Sequence, residues 1–208
     1  MLQVLTQEKY VISLGNSGVR LNNRSGILKH NYASPAMKSL SCMSFTKDTH
    51  EILVGGSEKK LLKINLDTQI ITPVKCKGTV TKLTRASQAI AGCKTDGTID
   101  IFDLNSNQIV KTFNSPGGII SDMDAKESIL MTCGYSQKKV GFVLDPLINV
   151  YDLRAGKSLP PIPFPAGAGF VRLHPKLSTC VIIASQNGQI QILDYANPAN
   201  VYLHQADL

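Results

Sequence analysis

The chain repeats itself, and that self-similarity constrains its fold more than any other feature. Four segments share one pattern: LVGGSEKKLLKINL from Leu53, AIAGCKTDGTIDIFDL from Ala89, LMTCGYS…PLINVYDL from Leu130 and VIIASQNGQIQILDY from Val181. Each begins with an apolar stretch ending in small residues, turns, and returns through an alternating stretch that closes on Asn or Asp. The closing residues Asn65, Asp103, Asp152 and Asp194 are 38, 49 and 42 positions apart. A weaker copy, YVISLGNSGVRLNN from Tyr10, places Asn23 another 42 positions upstream. A fixed period of this length is the mark of a repeat architecture. An ordinary β-sandwich would have no reason to keep it.

Local patterning makes each copy a hairpin. Ile99 and Ile101, Ile148 and Val150, and Ile190 and Ile192 alternate with polar residues, so one strand face is buried and the other half-exposed. Asp96-Gly97 and Asn187-Gly188 are strong two-residue hairpin signals because such residues tolerate positive φ, and Ser17-Gly18 is a weaker one. No period of 3.6 residues is sustained anywhere, so helices should be few. A further strand follows each closing residue (QIITPVK, QIVKTFN, SLPPIPFP, NVYLHQ), and others precede the hairpins (LSCMSFT, IISDMDA, GFVRLHP). Four short strands per repeat specify a β-propeller blade.

The expected fold is therefore all-β: a WD-repeat-like β-propeller of about five divergent blades. The approximate repeats are 1–31, 32–75, 76–114, 115–165 and 166–208. The dipeptides FD, YD and LD stand where WD repeats carry Trp-Asp, yet the chain has no Trp and no Gly-His partner dipeptide. Five copies fill the chain, and an open array would leave unpaired edges at both ends. The expectation is a segment of a larger propeller.

Two features break the pattern. The 49-residue spacing comes from an insertion, YSQKKVGFVLDPL from Tyr135 to Leu147, which sets Lys138 and Lys139 beside aromatic and apolar residues. In a propeller it would share a rim with the Ala166–Gly169 link to the next blade. Functional loops on rigid scaffolds have this composition; a longer hairpin packed on its own blade is the other reading. The second feature is SLPPIPFP, with four prolines in six residues. Proline cannot donate to a sheet ladder, so this run belongs on an outermost strand, although Pro160 and Pro163 also satisfy a PxxP ligand pattern.

Chemistry is sparse. The motifs of phosphate-binding loops, nucleophile elbows, zinc proteases and dinucleotide folds are all missing. His30, His50, His174 and His204 are scattered, and Asp122-Met-Asp124 has no further acidic partner, so it reads as a strand-turn feature rather than a magnesium site. Cys42, Cys76, Cys93, Cys133 and Cys180 are odd in number and form no CxxC pair, which points to buried, reduced thiols. Asn23-Arg24-Ser25 is read as a chance sequon, since MLQVLTQEKY has no signal-peptide pattern. No apolar run is long enough to span a bilayer. No cofactor and no metal are expected.

The net charge of +7 is unevenly spread. From Lys9 to Lys47 there are six basic residues and no Asp or Glu, and a second basic stretch runs through Lys75, Lys77, Lys82 and Arg85. Such surfaces suit acidic partners, RNA among them, or are simply solvated edges.

The segment from Asp145 to Pro198 resembles a known family. VYDLR, LPPIPFPAG, FVRLHP, ASQNGQIQ and NP occur in the order and spacing of the N-terminal WD-repeat region of the catalytic subunit of the poly(A)-nuclease (PAN) deadenylation complex. Upstream, GTIDIFDL and CGYS fit more loosely. The resemblance implies a seven-bladed propeller that scaffolds a deadenylation complex in mRNA decay. It would contact a pseudokinase-like regulatory subunit and, indirectly, poly(A) mRNA with its poly(A)-binding protein. The family's exonuclease uses acidic DEDD-type residues with two metal ions. Nothing here matches them, so the chain itself is expected to be noncatalytic. The implied location is the cytoplasm, including P-bodies, with the nucleus open. Candidate contact residues are Lys138, Lys139, Arg154 and Lys157. The competing readings are a WD-repeat scaffold of an unrelated complex, and a propeller that binds RNA directly through its basic surfaces.

Overall fold

Short runs of β-branched and apolar residues, punctuated by Gly, Asn and Asp, fold back on themselves wherever the punctuation falls. The computed structural model describes residues 3–106, 108–139, 141–197 and 199–206. Pro198, the proline of the NP element, lies outside the described residues, as does Val140 of the insertion. Five separate sheets result, and among the described residues there is no helix.

The first sheet contains β1 (Gln3–Thr6), β2 (Tyr10–Gly15), β3 (Gly18–Asn23) and β4 (Leu28–Ala33). The second contains β5 (Leu40–Phe45), β6 (Glu51–Gly56), β7 (Lys60–Asn65) and β8 (Ile71–Lys75). The third contains β9 (Val80–Arg85), β10 (Ala89–Lys94), β11 (Thr98–Asp103) and β12 (Ile109–Asn114). The fourth contains β13 (Gly118–Lys126), β14 (Ile129–Lys138), β15 (Gly141–Leu144), β16 (Leu147–Asp152) and β17 (Lys157–Pro163). The fifth contains β18 (Phe170–Leu173), β19 (Cys180–Ala184), β20 (Gln189–Asp194) and β21 (Val201–Gln205). Strands are neighbours in chain order within each sheet, except that β15 hangs off β14. The sheets gather into two compact units, the first three sheets as far as Thr112 in one and the last two in the other, with Asp96–Ile99 joining the latter.

In the first unit, one apolar cluster joins the first two sheets through Ile12, Leu14, Met43, Ile52 and Ile64. Another joins the second and third through Leu53, Leu61, Val80, Leu83 and Phe102. In the second unit, Ile148, Val150 and Phe164 pack on Val171, Val181 and Leu193. Ile99, Ile101, Ile148 and Val150 are buried, as alternation predicts. The fifth sheet departs from that reading: Gln191 and Leu193 face inward, while Ile190 and Ile192 stay half-exposed. Leu193 packs with Val181 and Ile183 against the fourth sheet, and alternation alone cannot say which face of a strand does so.

The turns also differ in detail. Within Asp96-Gly97 and Asn187-Gly188 it is the glycine, not the Asp or Asn, that takes positive φ, at 79° and 82°. The loops span three and four residues rather than two, because β10 ends at Lys94 and β19 at Ala184. Asp96 instead uses its carboxylate to accept the Thr98 N–H at 2.9 Å. Gly18 is needed for a different reason: it lies within β3, where a Cβ would meet the Tyr32 carbonyl at 2.7 Å.

The proline run is β17, the outermost strand of its sheet. Ile148 pairs Ile162 and Val150 pairs Leu159, so Pro160 and Pro161 together oppose Asn149 in a bulge. Pro160, Pro161 and Pro163 face solvent while Ile162 points inward. A strand that has only one neighbour can lose the donors on its outer side at no cost to the ladder.

The second and third sheets, and the fourth and fifth, are joined along their first strands by bulged hydroxyls, whereas the Thr81 hydroxyl bonds the Cys93 carbonyl of its own sheet at 3.3 Å. Ser41, Thr81 and Ser121, each 40 positions apart, are the bulged residues of β5, β9 and β13. A bulge turns a side chain out of register. The Ser41 hydroxyl thereby donates to the Val80 carbonyl of β9 at 3.2 Å, and the Ser121 hydroxyl reaches the Gly169 carbonyl just before β18 at 3.2 Å. In the second unit carboxylates reinforce the join. Asp122 accepts the Val171 N–H at 3.2 Å and the Arg172 guanidinium, and Asp124 accepts the Leu173 N–H at 2.8 Å. Asp122-Met-Asp124 is thus no strand-turn feature: β13 runs through both residues, and their carboxylates clasp the backbone of the adjacent sheet.

Replacing Asp122 by Ala leaves the buried Val171 N–H without its acceptor, so a loss of about 2 kcal/mol is expected. Urea titration should show the lower midpoint. Lys157→Ala at the exposed start of β17 should stay within roughly 0.5 kcal/mol of the parent.

Candidate interaction surfaces

The recurrent closing residues are turn-builders. The Asn65 side-chain carbonyl accepts the N–H groups of Asp67 and Thr68 at 3.1 and 2.8 Å. Asp152 accepts Arg154 and Ala155, each at 2.9 Å. Asp103 accepts Asn105 and Ser106 at 3.1 and 2.7 Å, Asp194 accepts Ala196 at 3.0 Å, and Asn23 accepts Ile27 at 2.8 Å. From Asn65 onward this is an Asx turn, which only a short side chain with an acceptor oxygen makes; Asn23 closes a wider loop, bonding four residues on. The Ser106 N–H and hydroxyl hold the Asp103 carboxyl below the usual aspartate value. The Thr179 hydroxyl, with the Ala196 N–H, does the same for Asp194. Burial pushes Asp124 the other way, against the N–H groups of Leu173 and Ala125.

The insertion of the fourth sheet folds as a hairpin on its own blade. β14 continues to Lys138 and turns into β15, with Tyr135 opposite Leu144 and Lys138 opposite Gly141. Its base is fastened by the Ser136 hydroxyl on the Asp145 carboxylate at 2.6 Å and by the Gln186 amide on the Tyr135 hydroxyl at 2.8 Å. Lys138, Lys139 and Phe142 stay exposed at the tip. The Ala166–Gly169 link lies at this end too, the Ala168 N–H facing the Asp145 carbonyl at 3.4 Å.

Arg154 and Lys157 lie elsewhere. The register sets Ile129, at the start of β14, opposite Asp152, so the β16–β17 turn sits at the far end of the sheet from Lys138. The length of β14 separates the two pairs by roughly 30 Å. Lys138, Lys139, Arg154 and Lys157 therefore form two exposed basic spots rather than one surface. The basic stretch from Lys75 to Arg85 is divided as well: the Arg85 guanidinium turns to the Lys47 carbonyl at 2.8 Å, while Lys75 lies opposite Lys60 in the β7–β8 ladder. That pairing, with Lys59, Lys77 and Lys94 close by around one cleft, was not visible from linear spacing. Only the register shows that residues fifteen apart are neighbours.

All five cysteines are free thiols. Burial pushes Cys42 up to about 12 and Cys133 up to about 11. The residues described include no group of three or more His, Cys, Asp or Glu side chains placed to hold a metal ion.

Repeated antiparallel sheets of four or more strands, closed by Asx turns, define a WD-repeat β-propeller. The solved Neurospora crassa Pan2 WD40 domain superimposes on 100% of this chain and 65% of its own, with a TM-score of 0.93 and 32% sequence identity. The profile of the family described as PAN2 N-terminal matches residues 1–206. Among curated proteins, the PAN2-PAN3 deadenylation complex catalytic subunit PAN2 of Phaeosphaeria nodorum is 41% identical over 99% of the chain, and that of Coccidioides immitis is 39% identical over 99%. The chain belongs to the PAN2 N-terminal family. It spans 18% and 17% of the length of those two relatives. The match over 1–206 overturns the reading of a WD-repeat scaffold of an unrelated complex.

Two measurements check the electrostatics. In a carboxyl-resolved NMR titration, Asp103 and Asp194 should titrate below the ordinary 3.8 and Asp124 above it. The sign for stability follows from linkage: Asp103 and Asp194 stabilise the fold above their unfolded pKa, and that gain is lost as pH falls through the folded value. Asp124 works in reverse, favouring the fold at low pH and losing that preference as pH rises through its folded value. With a disulfide-exchange dye at pH 8, Cys42 and Cys133 should hold roughly one thiolate in a thousand or fewer and react only on unfolding. The half-buried Cys76 and Cys180 should react first.

Proposed function

We propose that this chain is a noncatalytic interaction propeller of a poly(A)-tail-shortening complex in mRNA decay. It contacts a pseudokinase-like regulatory subunit and helps present poly(A) ribonucleoprotein, coated with poly(A)-binding protein, to a nuclease carried elsewhere in the complex. Its place of action on this reading is the cytoplasm, including P-bodies. The observation that carries the proposal is the superposition of the whole chain on 65% of a Pan2 WD40 domain, together with the match to the PAN2 N-terminal family. The two exposed basic spots and the fastened hairpin of the fourth sheet are surfaces available for such contacts.

Co-purification tests it. The tagged chain should enrich the regulatory subunit and, through it, poly(A)-binding protein from a lysate that contains both. Enrichment of neither would refute the proposal. The chain alone should leave a labelled poly(A) substrate untrimmed with magnesium present, and metal-dependent 3′ shortening would show the noncatalytic reading to be wrong.

A further inference from the structure

Between the second and third sheets, within the first unit, lies a cleft of about 850 Å³ that nothing in the proposed function uses. Its walls come from β8 and β12, the outermost strands of their sheets. Five lysines line it, Lys59, Lys60, Lys75, Lys77 and Lys94, with a single carboxylate, Asp100. That carboxylate is already engaged. Lys94 Nζ lies 3.0 Å from Asp100 Oδ2, and the Thr112 hydroxyl donates to Oδ1 at 2.7 Å. Lys94 and Asp100 are 8% and 2% exposed, so the pair forms a closed, nearly neutral floor. The floor is tightly fitted: a Cβ on Gly78, whose φ is +105°, would come within 3.3 Å of the Lys94 side chain. Above it, Lys59, Lys60, Lys75 and Lys77 have no ion-pair partner among the described residues.

Four unpaired ammonium groups around one cleft repel one another, and an anionic ligand relieves that repulsion. The rest of the lining says which anion. Pro73, Val74, Cys76 and Ile109 make an apolar wall, with Ile109 37% exposed. The lining holds no aromatic ring on which a base could stack and no arginine fork to grip a phosphate. Both flanking elements are extended strands with one free edge, a setting in which an extended segment can lie. We infer that this cleft binds an acidic peptide segment in extended conformation, its carboxylates on the lysines and an apolar side chain against Ile109 and Pro73.

Fluorescence polarisation of a labelled peptide alternating Glu and Val tests this with the 208-residue chain. The peptide should bind, more weakly as salt rises, and a Gln-for-Glu version should not. Lys75→Glu with Lys77→Glu should weaken binding at least roughly tenfold, since it sets like charges against the ligand. Lys75→Gln with Lys77→Gln gives a milder loss and controls for disturbed folding. Absence of peptide binding, equal binding by the Gln peptide, or affinity unchanged by charge reversal would each overturn the inference. Oligo(A) binding that is lost in the same variant would assign the cleft to RNA instead, and overturn it too. None of these outcomes depends on the regulatory subunit, whose association is read separately by co-purification.

Discussion

The join between first strands carries the architecture. A single four-stranded sheet cannot bury both its apolar faces, so each blade depends on its neighbour. Apolar stacking alone is nondirectional and would allow sheets to slide. The Ser41 and Ser121 hydroxyls and the Asp122 and Asp124 carboxylates supply direction, because each bonds a particular backbone group at the adjacent sheet. Buried backbone N–H and C=O groups must find partners in any case. Here the partner is a side chain from the adjacent blade, which sets the offset between sheets.

Turn chemistry and edge chemistry act on this frame from outside. The Asx turns at Asn65, Asp103, Asp152 and Asp194 close the third strand of each blade onto the fourth. The fourth strand then ends the sheet, and at β17 prolines make that edge a poor template for further pairing. The same outer strands bound the lysine cleft. One class of surface thus serves two ends: it discourages indiscriminate strand addition at β17, and between β8 and β12 it offers a charged recess in which only a complementary segment would fit.

As a noncatalytic propeller, the role proposed above, the chain would act through its surfaces. The fold provides them in different materials. The hairpin at Lys138 and Lys139 is a projection fastened at its base, the Arg154–Lys157 turn is a basic spot at the opposite end of the same sheet, and the cleft is a recess with a rigid floor. Rigid presentation of short segments is what lets a scaffold bind without a large ordering cost.

Some of this was legible in the residues themselves. The period, the hairpins, the outermost position of the proline strand and the turn role of the closing Asn and Asp all follow from local rules, because backbone geometry, proline's missing donor and a short acceptor side chain act within a few residues. The spacing of 40 between Ser41, Thr81 and Ser121 was also present in the sequence, but its meaning depends on a bulge that only strand pairing reveals. Tertiary structure alone decided the rest. It turned Asp122 and Asp124 from a strand-turn feature into a clasp, put Leu193 rather than Ile192 in the core, split the four candidate basic residues into two distant pairs and gathered five lysines around one cleft. Each of these is a contact between residues far apart in the chain, and such contacts are set by register and by which face of a sheet meets its neighbour, not by the order of the residues along it.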